Sequence, residues 1–268
     1  MKHLAKRIPK IGRLLQEHGN LQRDKGVLQL EKGNLEAEIR DLKHTIEQAR
    51  AYLAQRYIKG SGIEIGPTYL PVKLPKKAKV KYVDEAPLKE LLNRYPELQK
   101  LDMAPIHIVD NAEKLSKVKA KSLDFIIANH FMEHTLDPIG TVITHSKKLK
   151  KDGVLFYAIP DKRYTFDIAR PVTTYDHLLK EHRSPSHEMK FEHFIEAAHI
   201  LEMKQGDEIQ RRAQELFDMK YSIHFHVWTR SDLIDFFQRT IKEFNVPLEI
   251  TAVLENNPEA IFILRKIK

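Results

Sequence analysis

The run Gly62-Ile63-Glu64-Ile65-Gly66-Pro67 is a short apolar strand entering a turn, and the missing Cβ at Gly66 lets a ligand approach the backbone. About twenty residues later Val80-Lys81-Tyr82-Val83 ends in Asp84, the distance at which nucleotide-binding α/β folds hold ribose hydroxyls. The pair points to an adenosine-type ligand. The full G-x-G-x-x-G pattern is absent, with Pro67-Thr68-Tyr69 where further glycines would fall. Asp110-Asn111-Ala112 closes a third strand over 106–109, a polar cluster on the edge where open α/β sheets bind ligands. His224 and His226, two apart on an expected strand, point the same way and with His177 or His187 could hold a metal. Fourteen histidines make chance pairs common, so no metal is expected.

The elements that must position these residues alternate. After Asp84 a short helix spans 87–95, Pro87 suiting its first turn and Pro96 ending it. Residues 122–128 form the fourth and most hydrophobic strand, as expected of a central parallel one. A helix over 138–149 leads through Gly153 to strand five at 154–159. A helix over 231–244 and two strands, 248–254 and 260–264, end the chain, the last two an antiparallel pair at one end of the sheet. This predicts a doubly wound α/β sheet of seven strands with right-handed crossovers, its ligand edge at the carboxyl ends of strands one to four. Residues 160–226 interrupt the rhythm with a polar, histidine-rich insertion, which at that edge forms a lid or acceptor pocket.

The formal charge of +8 is unevenly placed: residues 1–60 hold 13 basic against 7 acidic side chains, and the rest is nearly neutral. A broad basic face for nucleic acid is therefore not expected. With no cysteine there is no disulfide, thiolate metal site or cysteine nucleophile, and no N-terminal run suits a signal peptide or membrane span. A cytoplasmic setting is expected.

Leu14, Leu21, Leu28, Leu35 and Leu42 recur every seven residues, a heptad seam that predicts an N-terminal coiled-coil helix over 1–58 and a homo-oligomer. The alternative is one amphipathic helix packed on its own domain. Gly60-Ser61-Gly62 breaks the helix, so the α/β domain is expected to span 59–268. Ahead of the seam, residues 1–13 mix basic and apolar side chains and could make peripheral contact with an anionic membrane surface.

The acid-and-glycine turn at Glu64 and Gly66, Asp84, the Asp110-Asn111-Ala112 corner, SLDFIIANHFMEHTLDP and LKKDGVLFYAIPD together resemble the class I S-adenosylmethionine-dependent methyltransferases, and within them the type 11 group. GIEIGP, YPEL, ANHFMEH, PDKRYTFD and FHVWT resemble bacterial members often linked to surface-polysaccharide synthesis. The resemblance implies a Rossmann-like fold with S-adenosylmethionine as cofactor. It places Glu64 and Gly66 against the methionine, Asp84 on the ribose, Asp110, Asn111 and Ala112 around the adenine, and Asn129 and His130 on the sulfonium side.

Methyl transfer is an in-line displacement at an activated carbon, so the protein supplies orientation and, for a hydroxyl acceptor, a base. Histidine is the natural base near neutral pH. His130, His134 and His226 are the candidates, with Asp161 and Asp167 as orienting acids. Lys162 and Arg163 could grip a phosphate or carboxylate of the acceptor, or else form a salt bridge with Asp161 or Asp167. The expected acceptor is a sugar or glycan-linked hydroxyl, with a small metabolite as second choice. A catalytically degenerate scaffold organised by its coiled coil is the alternative outside enzymes.

Overall fold

A computed structural model describes the backbone of residues 8–268 and the side chains of His18 and residues 21–268. The basic segment 1–13 and the first seam leucine, Leu14, therefore lie outside the described side chains. Helix α1 (Ile8–Tyr57) is one continuous helix that includes Gly26 and Gly33, where a Cβ would meet nothing within 4 Å. Residues up to Gln48 form one compact unit and Ala49 onward a second. In the first unit Leu21, Leu28, Leu35 and Leu42 are all more than half exposed, at 67%, 64%, 58% and 56%. Among the described residues no helix is long and apolar enough to cross a membrane.

The second unit contains a seven-stranded sheet. Its strands are β1 (Ser61–Ile65), β2 (Lys79–Asp84), β3 (Ile108–Val109), β4 (Leu123–Asn129), β5 (Leu149–Pro160), β6 (Leu248–Asn256) and β7 (Glu259–Lys266). They lie in the order β3-β2-β1-β4-β5-β7-β6. The first five are mutually parallel, and β7 runs antiparallel to both β5 and β6. Strand order therefore reverses between β1 and β4, and the carboxyl ends of the parallel strands share one edge, where such sheets bind ligands. Because β7 is antiparallel, its first residue also reaches this edge: Glu259 pairs with Pro160, the last residue of β5.

β4 is buried on both faces, which explains its unbroken apolar run. Ile126 and Ala128 face a core with Leu155, Tyr157, Phe237 and Phe262, on the side of α3 (Pro138–Lys148) and α7 (Arg230–Glu243). Phe125 and Ile127 face the opposite core with Phe156, Ile261 and Ile263, closed by Leu53 and Ala54 from the last turns of α1. Gly62 leaves room for this packing, since a Cβ there would lie 2.2 Å from the Phe125 carbonyl oxygen. The short helix after β2 is α2 (Leu88–Arg94).

The insertion builds its own small core around Phe194, Ala198, Ala213, Leu216 and Ile223. Its helices are α4 (Tyr175–Arg183), α5 (His187–Glu196) continued by a π turn at Ala197–Leu201, and α6 (Asp207–Asp218). The expected strand through His224 and His226 does not form. That stretch joins no sheet, because β7 already occupies the free side of β5, and it keeps only a bridge between Asp161 and Trp228. It is ordered by backbone bonds, the Phe225 and His226 N–H groups donating to the Glu133 carbonyl and the Thr173 N–H to the Val227 carbonyl, and by the buried Arg170, which donates to Asp167, Glu196 and the carbonyls of His224 and Phe225.

Candidate active site

Gly66 sits just past β1 at φ +56°, in the left-handed region that favours glycine, and a Cβ there would meet nothing within 4 Å. Glu64 is buried beneath the loop that follows, where both its oxygens accept the Val72 N–H at 3.0 and 3.3 Å. That places it behind the loop rather than on the open edge, and burial pushes its carboxyl up to about 7. Asp84 accepts the Glu85 N–H on Oδ1 at 2.8 Å, and Oδ2 has no donor among the described residues. Burial raises this carboxyl to about 6 against the lowering effect of the Glu85 amide.

At the third strand end Asp110 spends its carboxylate on its own turn, accepting from the backbone N–H groups of Asn111 and Lys117. Asn111 Oδ1 caps the Lys114 N–H, and the Ala112 carbonyl accepts from His145 Nε2. These three residues thus shape a rigid corner. Across the strand reversal, Asn129 ends β4 with a buried Oδ1 that has no partner among the described residues. An open glycine turn, a carboxylate oxygen free for two hydroxyls and an orphaned amide oxygen along one edge fit an adenosine cofactor carrying a polar tail.

His130 follows Asn129 at φ +50°, held there by its own N–H on the Ala158 carbonyl at 2.8 Å. Its Nε2 lies 2.8 Å from Glu259 Oε2 and its Nδ1 lies 3.6 Å from Glu133 Oε1, while the side chain stays 42% exposed. Glu259 is fully buried and also accepts from Arg50 Nε at 2.9 Å, Arg50 Nη2 at 2.5 Å and Asn256 Nδ2 at 2.8 Å. Burial alone would push the Glu259 carboxyl up, but the bonds from His130 and Arg50 bring it down to about 2. Burial likewise works against a charged His130 ring, yet Glu259 and Glu133 hold its pKa above the usual histidine value. A carboxylate only accepts, so in neutral His130 the hydrogen sits on Nε2 and the lone pair on Nδ1.

The other expected site residues go elsewhere. His134 Nδ1 donates to the Ile223 carbonyl at 2.8 Å, and burial keeps its pKa low. His226 is wholly buried, its Nε2 at 2.7 Å from Glu181 beside His193 and His177, and burial pushes it down to about 4. His224 instead joins Asp167 at 2.6 Å, so two histidines expected to face together belong to separate clusters. Asp161 holds Arg163 through both carboxylate oxygens and caps Arg230 N–H, and Lys162 Nζ donates to the Ile168 carbonyl. Sequence reasoning missed Arg50, Glu133 and Glu259 as neighbours of His130. A sign of Glu259 lay in the Asn256-Asn257-Pro258 turn, which starts an antiparallel last strand at the ligand edge.

This strand order and edge define a class I S-adenosylmethionine-dependent methyltransferase. The chain belongs to the methyltransferase-domain family, whose model matches residues 87–240, more than half of its length. Among curated proteins none matches. A solved structure from Rhodobacter sphaeroides, described as a Zn-dependent alcohol dehydrogenase, is similar at TM-score 0.50 and 11% identity over 81% of this chain and 88% of that one. At that identity the likeness is one of fold. A structure from Listeria monocytogenes, described as an S-adenosylmethionine-dependent methyltransferase, aligns over 85% of this chain and 100% of its own, at 10% identity and TM-score 0.47. One from Thermotoga maritima aligns over 83% and 99%, at 14% identity and TM-score 0.42.

The cofactor is S-adenosylmethionine, and the state of Asp84 should govern its affinity. With Asp84 on the ribose, as the resemblance implies, the ionised carboxylate would accept from both hydroxyls and the protonated form would accept less well, so affinity should rise as pH rises through about 6. Calorimetric titration at pH 5 and pH 7.5 should show this rise in the native protein and its loss in Asp84→Asn, whose affinity should be weaker by about 1.5–3 kcal/mol at the higher pH.

Proposed function

We propose that the protein transfers a methyl group to a hydroxyl of a sugar or glycan-linked acceptor, with His130 as general base. The observation that carries this reading is the placing of His130, part-exposed between Glu259 and Glu133, on the turn directly after Asn129. Bound S-adenosylmethionine supplies a methyl carbon already activated by its sulfonium. Sugar hydroxyls are weak acids, so the chain's own contribution is to orient the acceptor and take its proton. Glu259, on Nε2, fixes the tautomer that leaves the lone pair on Nδ1 and stabilises the imidazolium once that atom has accepted the proton, in the manner of the orienting carboxylate in a catalytic triad. His226, fully buried on Glu181, is left out of this role. Arg163 is engaged by Asp161 and Lys162 by the Ile168 carbonyl, so an anionic acceptor group would have to displace those bonds to be gripped there.

His130→Gln should lower kcat by about 10²–10⁴-fold with S-adenosylmethionine affinity kept, since the ring is not needed to recognise adenosine. In the native enzyme kcat/KM should rise with pH on a limb centred above the usual histidine value, because the base must be unprotonated and its pKa is raised. Unchanged turnover in His130→Gln would sink the assignment.

The exposed leucines at seven-residue spacing support pairing of α1 with copies of itself, since such a seam loses its apolar contact with water only against another helix. Sedimentation should then show an oligomer for the full chain and a monomer once residues 1–48 are removed. An equal state for both would rule pairing out.

A further inference from the structure

Just past His130 the chain gathers Glu133, His134 and His224, one ligand atom from each lying within 4.8 Å of the others. Glu133 is 2% exposed, and neither carboxylate oxygen has a hydrogen-bond partner among the described residues. Its ion pair with His130 Nδ1 is 3.6 Å long, beyond hydrogen-bond length. A carboxylate left so poorly served inside a protein carries a desolvation penalty that a bound cation would offset.

Both imidazoles are already set to be ligands. His134 Nδ1 lies 2.8 Å from the Ile223 carbonyl oxygen and 3.2 Å from Ser222 Oγ, and a carbonyl only accepts, so neutral His134 keeps its lone pair on Nε2. His224 Nδ1 lies 2.6 Å from Asp167 Oδ2, a carboxylate itself fixed by the buried Arg170, which leaves the same nitrogen free. Metal-binding histidines are oriented in this way, the second nitrogen donating to a carbonyl or carboxylate. The neighbouring set of His177, Glu181, His193 and His226 differs, because there all three Nε2 atoms already lie on the Glu181 carboxylate, at 3.3, 2.7 and 2.7 Å. The Glu181 carboxylate is therefore satisfied without an ion, although the buried His226 Nδ1 has no partner among the described residues.

We propose that Glu133, His134 and His224 form a site for a first-row divalent cation of the zinc type, whose remaining coordination positions take the acceptor's hydroxyl oxygen. Two imidazoles and one carboxylate are the donor set of open, three-ligand metal sites. Because the His130 ring borders Glu133, an oxygen held there would lie beside the nitrogen assigned to receive its proton. This use rests on the methyl-transfer reading, whereas ion binding itself does not.

The full chain, stripped with chelator and titrated with Co(II), should take up one equivalent and develop the visible absorption of a nitrogen- and oxygen-ligated cobalt ion. Zn(II) followed by calorimetry should give the same stoichiometry. Glu133→Gln and His224→Gln should each weaken binding at least about 10-fold, while His193→Gln binds as the native protein does. No uptake by the native chain at about 0.1 mM Co(II) overturns the site at any affinity useful to an enzyme, as does loss confined to His193→Gln, which would move the ion to Glu181. S-adenosylmethionine binding, measured on the same preparations, reports folding of each variant. If the cation binds but turnover is the same with and without it, the site stands and only its role with the acceptor fails.

Discussion

The buried carboxylate of Glu259 is the constraint on which the ligand edge depends. A charge taken out of water must be paired and hydrogen-bonded, and this one is met by Arg50, His130 and Asn256. Those partners come from the last turns of α1, the turn after β4 and the end of β6. One charged group thus fastens three separate stretches of chain at the ligand edge. Removing one partner of such a group typically costs about 3–5 kcal/mol, so the arrangement is held firmly. The antiparallel course of β7 makes it possible, since a parallel last strand would carry its first residue to the far edge of the sheet.

Around that anchor, burial and pairing pull neighbouring acids in opposite directions. Glu64, buried, and Asp84, half-buried, each with only backbone donors, are raised to about 7 and about 6, while Glu259 with two cationic partners falls to about 2. The edge therefore separates acids near their proton equilibrium, where ribose and loop are expected, from a fixed negative charge beside the proposed base. His130 inherits its character from both sides: Glu259 sets which nitrogen holds hydrogen, and Glu133 favours the charged ring. The left-handed backbone at His130, uncommon outside glycine, turns that ring out of β4 and toward the edge.

The strands could be read because their signals are local. The apolar run of β4, the acid closing β2 and the glycine closing β1 each lie within a few residues, and the order of parallel and antiparallel strands follows from their alternation with helices. Element ends moved by a few residues: β5 starts at Leu149 rather than 154, and β3 keeps only Ile108–Val109. The expected strand at His224 and His226 failed because the two histidines are held singly, by Asp167 and by Glu181, while Arg170 takes the His224 carbonyl that a neighbouring strand would need. Arg50 and Glu259, 209 residues apart, leave no local trace of their contact. The same holds for Glu181, a carboxylate that gathers three histidines from two helices and a loop.

Titration of the His130 imidazole by NMR, in the native protein and in Glu259→Gln, measures most directly whether this buried carboxylate sets the base. The native ring should titrate above the ordinary histidine value of 6.5, and its pKa should fall when the Glu259 charge is removed. A native value at or below 6.5, or one unmoved by Glu259→Gln, would contradict the role given to this contact.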